Sequence, residues 1–211
     1  MKLLYAEDEA AMSEAVVDME LYLGKSKWSR NIKEQTRRLS GLMQDLLTLA
    51  RMDEGAAPAQ KAALSLSGLA EQALEPFLQP MEAQGITLER DIQPEVSLTA
   101  DPAQLEQLLS LLLDNAVKYT GPGGRIRFSV KQEGKRARLC LENTCPQLPT
   151  VPPEKLFDRF YRGEDAARTQ KEGGYGIGLA VARSLAQANQ GSLHAQYLPP
   201  QAIRFVAQFP N

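Results

Sequence analysis

The sequence LEQLLSLLLDNAVKYT occupies residues 105–120 and combines a strong helix pattern with the polar residues of a candidate site. Its apolar residues recur three and four positions apart, which is the spacing of one helix face: Leu105, Leu108, Leu109, Leu112, Ala116 and Tyr119. Asp101 precedes it as an N-cap followed by a proline, with Gln104 as the capping-box partner. Asn115 and Lys118 share a face, where an amide oxygen suits a hard cation and an ammonium suits phosphate. A buried helix with one polar edge is the alternative.

The composition argues against several classes of protein. The chain has 211 residues, a formal net charge of -2 and a pI near 5.6, so its charge favours neither nucleic acid nor an anionic membrane. No apolar run reaches the roughly 18 residues of a membrane-spanning helix, and no signal-peptide pattern opens the chain. Two cysteines and one histidine argue against a disulfide framework and a zinc site. We therefore expect a cytoplasmic protein with no membrane segment and no nucleic-acid partner.

The first residues, MKLLYAEDE at 1–9, resemble the first strand of a response-regulator receiver domain, where an acidic pair helps to hold magnesium. This resemblance extends over about residues 1–18, and the strand that bears the receiver's phosphoacceptor aspartate is missing. A lone strand would have no partner, and the residue types present favour a helix, so we expect much of residues 4–23 to be helical. A solvated helix start is favoured over a functional metal site at Glu7 and Asp8.

A second helix is predicted over residues 28–52, because an apolar stripe lies opposite a basic face. The stripe consists of Ile32, Leu39, Leu42, Met43, Leu46, Leu47 and Ala50. Gly24 and Ser26 suit a short turn before this helix, so residues 1–54 are predicted to form a helical hairpin. One hairpin cannot bury so much apolar surface, and we expect a homodimer with a four-helix bundle. The alternative is that the hairpin packs on the following domain.

Residues 53–60, DEGAAPAQ, are predicted to form a linker before a second domain over residues 60–211. That domain mixes three predicted helices with strands, and is therefore of the α+β class. The helices cover 68–83, the segment after Asp101, and 177–189; the strands cover 62–66, 86–89, 95–98, two runs around 126–130 and 137–141, 192–197 and 203–209. Ser67 is the expected N-cap of the first helix, which Pro76 and Pro80 should kink or make partly irregular.

The glycine-rich segment GGYGIGL at residues 173–179 leads directly into a predicted helix. Glycines let the backbone approach a phosphate, and the exposed N–H groups of a helix N-terminus attract anions. The segment ends a long, mostly irregular stretch, residues 144–175, that carries Arg162, Arg168 and Lys171. Long ordered loops are often functional, so this stretch is predicted to be a phosphate lid. The pattern is neither a P-loop nor a Rossmann fingerprint.

Three motifs in this order, DNAVKY at 114–119, LFDRFYR at 156–162 and GGYGIGL at 173–179, resemble those of sensor histidine kinases. Residues 28–54 resemble the second helix of that family's dimerisation hairpin, and residues 60–211 its catalytic ATP-binding domain. The resemblance implies a layered α/β sandwich, in which helices cover one face of a mixed sheet. It also implies that ATP binds between the Asn115 helix and the lid.

The resemblance further implies roles for individual residues. Asn115 would ligate Mg²⁺, Lys118 would contact a phosphate, and Tyr119 would pack near the adenine or ribose. Arg162 and the backbone of the glycine segment would surround the phosphates. The aromatic residues of the second motif, Phe157 and Phe160, would anchor the lid, although plain core packing would also explain them. The implied nucleotide-binding residues of the glycine segment are Gly174, Tyr175, Gly176, Ile177, Gly178 and Leu179.

The chain departs from the family's motifs in two places. Where the family commonly has Asp-x-Gly-x-Gly, this chain has NTCPQ at 143–147. Asn143 would accept a hydrogen bond from the adenine amino group through a neutral amide oxygen instead of a charged carboxylate. We expect that bond to be weaker by about 1 kcal/mol, and Cys145 to restrict the approach of the loop to the base. Many members also carry an asparagine one turn before Asn115, and here Leu111 occupies that position.

The phosphoacceptor histidine of the family, in a His-Glu-x-x-Thr-Pro sequence, is absent. His194 lies in a predicted strand and is interpreted as an ordinary strand residue. The leading hypothesis is a truncated or hybrid sensor kinase that binds ATP and Mg²⁺, with a response regulator or another kinase's hairpin as partner. The main alternative is a non-catalytic dimerising module. Two less favoured alternatives are a related ATPase fold that phosphorylates serine on a protein partner, and a working receiver domain.

Overall fold

The computed structural model describes residues 27–53, 60–162 and 175–211. The predictions for residues 1–26, including the receiver-like start, lie outside these ranges. The predicted linker lies largely outside them as well, and the domain boundary there stays a prediction. The chain divides into two compact units, Met1–Gln44 and Asp45–Asn211. None of the described helices is long and apolar enough to cross a membrane.

The described elements begin with helix α1, Lys27–Asp53, close to the predicted 28–52. The later helices are α2, Leu66–Ala83, α3, Pro102–Tyr119, and α4, Gly178–Ala188, with a 3-10 helix at Pro153–Phe157. The strands are β1, Ala62–Ser65; β2, Thr87–Ile92; β3, Ser97–Ala100; β4, Arg125–Glu133; β5, Arg136–Thr144; β6, Ser192–Leu198; and β7, Ala202–Pro210. The strands and the four α-helices had been predicted, with boundaries within a few residues, whereas the 3-10 helix had not.

The central sheet has five strands in the order β2-β4-β5-β7-β6. β2 and β4 run parallel and the other neighbours antiparallel, while β1 and β3 form a separate antiparallel pair. Along β4 and β5 every second residue is buried, and these residues form the core with α2, α3 and α4: Ile126, Phe128, Val130, Ala137, Leu139 and Leu141. The predicted α+β fold with a mixed sheet and covering helices is confirmed.

The opposite face of the sheet carries ion pairs between neighbouring strands. Glu89 on β2 accepts from Arg127 on β4 at 2.9 Å, and this contact is the main reason why the pKa of Glu89 is lowered. Glu142 on β5 accepts from Arg204 on β7 at 2.8 and 3.1 Å. The Glu89–Arg127 pair is exposed, and exposed pairs contribute little stability, so the core holds the sheet together.

Helix α2 has a different N-cap from the predicted one and shows no irregular segment. Its N-cap is Ser65, whose hydroxyl accepts from the Gly68 N–H, and the expected cap Ser67 is buried instead. The Ser67 hydroxyl accepts from the Val96 N–H and so connects α2 to the start of β3. The helix also continues through Pro76 and Pro80, because both prolines are exposed and water can satisfy the carbonyls they leave free.

Candidate functional site

Helix α3 carries the first site residues near its C-terminus. Asp101 caps its start as predicted, accepting from the backbone N–H groups of the first turn. Asn115, which was predicted to hold a metal, is half-buried near the other end. Lys118 is more exposed, and its ammonium pairs with the Asp114 carboxylate one turn earlier. The side chain predicted to contact a phosphate therefore has an internal partner that a phosphate could replace.

Asn143 lies at the end of β5 and is only 1% exposed. Its Nδ2 donates to the Thr144 carbonyl at 3.1 Å, and no described residue donates to its Oδ1. A carbonyl can only accept, so the amide nitrogen must face Thr144 and the oxygen must face the other way. A buried acceptor without a donor is costly, and it suits a ligand that brings an amino group.

A second buried oxygen without a partner among the described residues is Thr120 Oγ1, just after α3. It lies close to the Asn143 end of β5, because a Cβ on Gly124 would be 2.6 Å from both Thr120 Cγ2 and Thr144 Oγ1. The Asn143 and Thr120 oxygens, both without a partner among the described residues, therefore lie at the same end of the sheet. Thr120 was not predicted as a site residue, although a threonine after a helix and before a Gly-Pro-Gly-Gly turn marks a helix end.

The second and third motifs meet at their ends. The Phe160 N–H donates to the Gly176 carbonyl at 2.9 Å, and both residues have left-handed backbones with φ of 65° and 71°. A Cβ on Gly176 would lie 2.5 Å from the Tyr161 carbonyl oxygen, so only glycine fits there. Gly174 lies outside the described residues, as do residues 163–173, and Arg162 is half-buried at the edge of this gap.

The two phenylalanines of the second motif have different environments. Phe157 is buried, with its ring edge-on to Phe205 at 6.3 Å and beneath the Arg183 guanidinium at 5.1 Å. It also lines an open groove of about 770 Å³, together with residues of α4 and β6 that include the exposed His194. Phe160 is 65% exposed, so core packing does not account for it.

Helix α4 begins directly after the glycine segment. Ile177 is buried and offers no side-chain cap, so the first N–H groups of this helix have no such partner. A Cβ on Gly178 would be 3.4 Å from Leu111 Cδ2, which shows that the start of α4 packs beside α3. Tyr175 is exposed and Leu179 half-buried. A helix start of this kind can bind a phosphate group.

The donor set for a metal is small. No cluster of three or more His, Cys, Asp or Glu side chains suited to a metal occurs within the part of the chain that the structure describes. Asn115 supplies an amide oxygen, whereas Leu111, one turn earlier, cannot ligate. Mg²⁺ commonly keeps several waters and binds through one or two protein ligands and substrate phosphates, so Asn115 fits a phosphate-bound ion.

The model of the "Histidine kinase-, DNA gyrase B-, and HSP90-like ATPase" family matches residues 100–211, just over half of the chain. The match covers α3, the Asn143 strand and the glycine segment. The chain belongs to this ATPase family. The predicted resemblance to the catalytic domain of histidine kinases is thereby confirmed, and ATP is the nucleotide of this family.

Individual histidine kinases match most of the chain. The signal transduction histidine-protein kinase BaeS of Escherichia coli K12 is 31% identical over 180 residues, which are 85% of this chain and 38% of that protein. Among solved structures, the histidine kinase AdeS of Acinetobacter baumannii matches with a TM-score of 0.73 at 19% identity, and the match covers 95% of this chain and 94% of the AdeS chain. Full-length ShkA in complex with AMPPNP has a TM-score of 0.72 at 25% identity, covering 87% and 38%. The ATPase domain is thus of the histidine kinase type, and the chain spans less than half of BaeS.

Proposed function

We propose that the chain binds ATP with its adenine at Asn143. The observation that carries this proposal is the buried Asn143 Oδ1, which faces away from Thr144 and has no donor among the described residues. The adenine amino group would donate to this oxygen, and Tyr119, which is 40% exposed, would pack near the base or ribose. The neutral amide would hold the base less tightly than a carboxylate would.

The phosphates would lie between α3 and the start of α4. Asn115 would ligate Mg²⁺, which would neutralise phosphate charge during phosphoryl transfer. Lys118 would exchange the Asp114 carboxylate for a phosphate oxygen, and the N–H groups that follow Ile177 would bind another. Arg162 and the backbone of Gly174, Gly176 and Gly178 would add further contacts.

The proposed reaction is that of a sensor histidine kinase acting on another chain. The γ-phosphoryl group of ATP would pass to a histidine nitrogen, forming an N–P bond and releasing ADP. This chain has no histidine in the family's phosphoacceptor sequence, so the acceptor would be the hairpin of a partner kinase, which would then phosphorylate a response regulator. We place this reaction in the cytoplasm, as predicted from the sequence.

Dimerisation would use α1. Along this helix large apolar side chains are between 41% and 76% exposed: Trp28, Ile32, Leu39, Met43 and Leu46. Successive members are four, seven, four and three residues apart, which is the spacing of a helix that packs on other helices. A homodimer would cover this stripe. Sedimentation should show a dimer for the full chain and a monomer for Leu39→Glu combined with Met43→Glu.

The experiment that tests ATP binding is calorimetry of the full chain with a non-hydrolysable ATP analogue and Mg²⁺. Measurable heat that disappears in Asn143→Leu is the expected result. Labelled ATP then tests the reaction: acid-labile label should appear on an added kinase hairpin that contains the phosphoacceptor. Label on this chain alone would contradict the proposed acceptor.

A non-catalytic dimerising module is the second candidate, and two observations favour it. Leu111, which packs beside Gly178, occupies the position where many members of the family have a second asparagine that could ligate the metal. Cys145 is buried where the family commonly has a flexible glycine. If the chain bound no nucleotide while still forming dimers, this candidate would replace the kinase.

A further inference from the structure

Asn189, just after α4, is as buried as Asn143 but uses all of its polar groups. Its Oδ1 accepts from the Asp101 N–H at 2.8 Å, and its Nδ2 donates to Gln104 Oε1 and to the Leu185 carbonyl, both at 2.9 Å. In the predicted capping box, the Gln104 side chain would itself have bonded to the Asp101 N–H. The Asn189 amide lies between these two groups and connects them, so the start of α3 is attached to the end of α4.

This attachment is at the end of the helix pair opposite the candidate site. α3 and α4 run antiparallel, since the start of α3 meets the end of α4 at Asn189 and Leu111 meets Gly178 at the start of α4. Asn115 is eleven residues beyond Gln104, about 16 Å along the helix. Both elements proposed to bind the phosphates, the end of α3 and the start of α4, therefore depend on how the two helices are aligned.

We infer that Asn189, acting through Gln104, is a positioning residue that sets the axial alignment of α3 against α4 and thereby the spacing of the phosphate-binding groups. The inference rests on the proposed nucleotide site. Apolar packing between helices tolerates sliding, whereas the two directional hydrogen bonds that join Asn189 to Asp101 and Gln104 do not. A binding constellation must be held to within about 0.5 Å, and a helix transmits a displacement at one end to the other.

The first test needs no nucleotide. In the full chain Gln104→Met removes the acceptor for Asn189 at similar volume, and Gln104→Glu keeps it. The readout is amide exchange at the site end, at the Thr120 N–H bonded to Ala116 and the Val181 N–H bonded to Ile177. Val130→Ala, in the core of β4, is the control for lost stability, compared at the temperature or denaturant concentration that equalises the free energies of unfolding.

Gln104→Met should accelerate exchange at both amides more than the stability-matched control does, and Gln104→Glu should restore the wild-type rates. Equal acceleration in Gln104→Met and Val130→Ala would overturn the inference, because the network would then only add stability. Because this comparison uses the protein without nucleotide, it decides the inference even if the wild-type chain fails to bind ATP, which would refute the proposed function separately.

The second test measures the dissociation constant for the ATP analogue. A net hydrogen bond corresponds to roughly a three- to tenfold change in an equilibrium constant, and we expect Gln104→Met to weaken binding by about that factor. Gln104→Glu should bind like the wild type, and Val130→Ala should as well. If Gln104→Met bound the analogue as tightly as Val130→Ala, the network would have no influence on the site.

Discussion

Two asparagines, Asn143 and Asn189, are each 1% exposed, yet they lie at opposite ends of the α3–α4 pair and differ in what their amides contact. Asn189 makes three side-chain hydrogen bonds, with its oxygen and its nitrogen both satisfied. Asn143 makes one, through its nitrogen, and its oxygen has no donor among the described residues. Equal burial therefore accompanies opposite hydrogen-bonding states.

The difference separates a scaffold residue from a proposed ligand-binding residue. A buried amide with every group satisfied stabilises the protein and specifies one arrangement of the helices. A buried oxygen without a donor costs stability in the free protein and gains it back only when a ligand donates. Substitutions at the two positions should therefore move different quantities, and the following predictions run from the largest expected effect to the smallest.

Asn189→Leu should cause the largest loss of stability. It removes three hydrogen bonds and leaves the partly buried Asp101 N–H and Gln104 oxygen without their Asn189 partner, so the free energy of unfolding should fall by about 3 kcal/mol. Urea denaturation measures it. The matched control is Asn189→Asp, which keeps an acceptor for Asp101 but loses both donors. A loss below about 1 kcal/mol in the leucine variant would contradict the scaffold role.

Gly176→Ala tests whether the nucleotide end also contains rigid parts. An added Cβ would meet the Tyr161 carbonyl oxygen at 2.5 Å with φ at 71°, so the backbone must shift. We expect a loss of about 2 kcal/mol in the free energy of unfolding and weaker nucleotide binding, because the Phe160–Gly176 hydrogen bond would be distorted. Gly123→Ala is the control, since its φ is also positive but no atom would contact the Cβ. Equal losses in both variants would show that backbone strain alone, without the contact to Tyr161, explains the effect.

The sequence predicted what local patterns encode and missed what depends on distant contacts. Helix α3 and its Asp101 cap were predictable from 3.6-residue periodicity and capping chemistry within twenty residues. The role of Asn189 was not, because its partners Asp101 and Gln104 are 88 and 85 residues away. For the same reason the capping box was predicted to close on itself, whereas the Asn189 amide lies between its two members. Ser67 was wrongly predicted as a cap because its partner Val96 is 29 residues distant.

The site residues follow the same rule. The Phe160–Gly176 hydrogen bond brings the second and third motifs together, a contact that their spacing along the chain did not require. Asn143 was identified only through the resemblance to histidine kinases, since a single asparagine at the end of a strand has no pattern of its own. Its unsatisfied oxygen could be found only in the structure, because satisfaction depends on every neighbour.

Asn143→Leu should produce the reverse of the Asn189 result. It removes a buried oxygen that has no donor, so the free energy of unfolding should stay within about 1 kcal/mol of the wild type. Affinity for the ATP analogue should fall at least about tenfold, the value of one buried hydrogen bond to the base. Asn143→Asp is the matched variant and should bind up to about fivefold more tightly, since a charged acceptor forms a stronger bond. Loss of stability without loss of affinity would contradict the proposed role.

Substitution of Tyr197 tests whether the other unsatisfied oxygens at the Asn143 end of the sheet also belong to the nucleotide site. Its hydroxyl is buried without a partner among the described residues, and it lies in one row of the sheet with Asn143, separated by Ile203. Burial raises the pKa of Tyr197 from 10.0 to about 12, with Tyr161, Glu154 and Cys145 nearby adding to the effect. Tyr197→Phe should change the free energy of unfolding at pH 7 by less than about 1 kcal/mol and leave ATP affinity unchanged.

The pH dependence gives the Tyr197 hydroxyl a signature of its own. Between pH 10 and about 12 the unfolded tyrosine loses its proton while the folded one keeps it, so the unfolded state gains stability and the wild type becomes less stable as pH rises. Burial also raises the pKa of Cys140 and Cys145 above 9.0, so the loss of folding stability caused by these thiols begins at a lower pH than the loss caused by Tyr197. Tyr197→Phe should remove only the part above pH 10 in urea titrations. If Tyr197→Phe instead lowered the affinity for ATP severalfold, the Tyr197 hydroxyl would bind the nucleotide together with Asn143 Oδ1. The nucleotide site would then extend beyond Asn143 to the neighbouring strand β6.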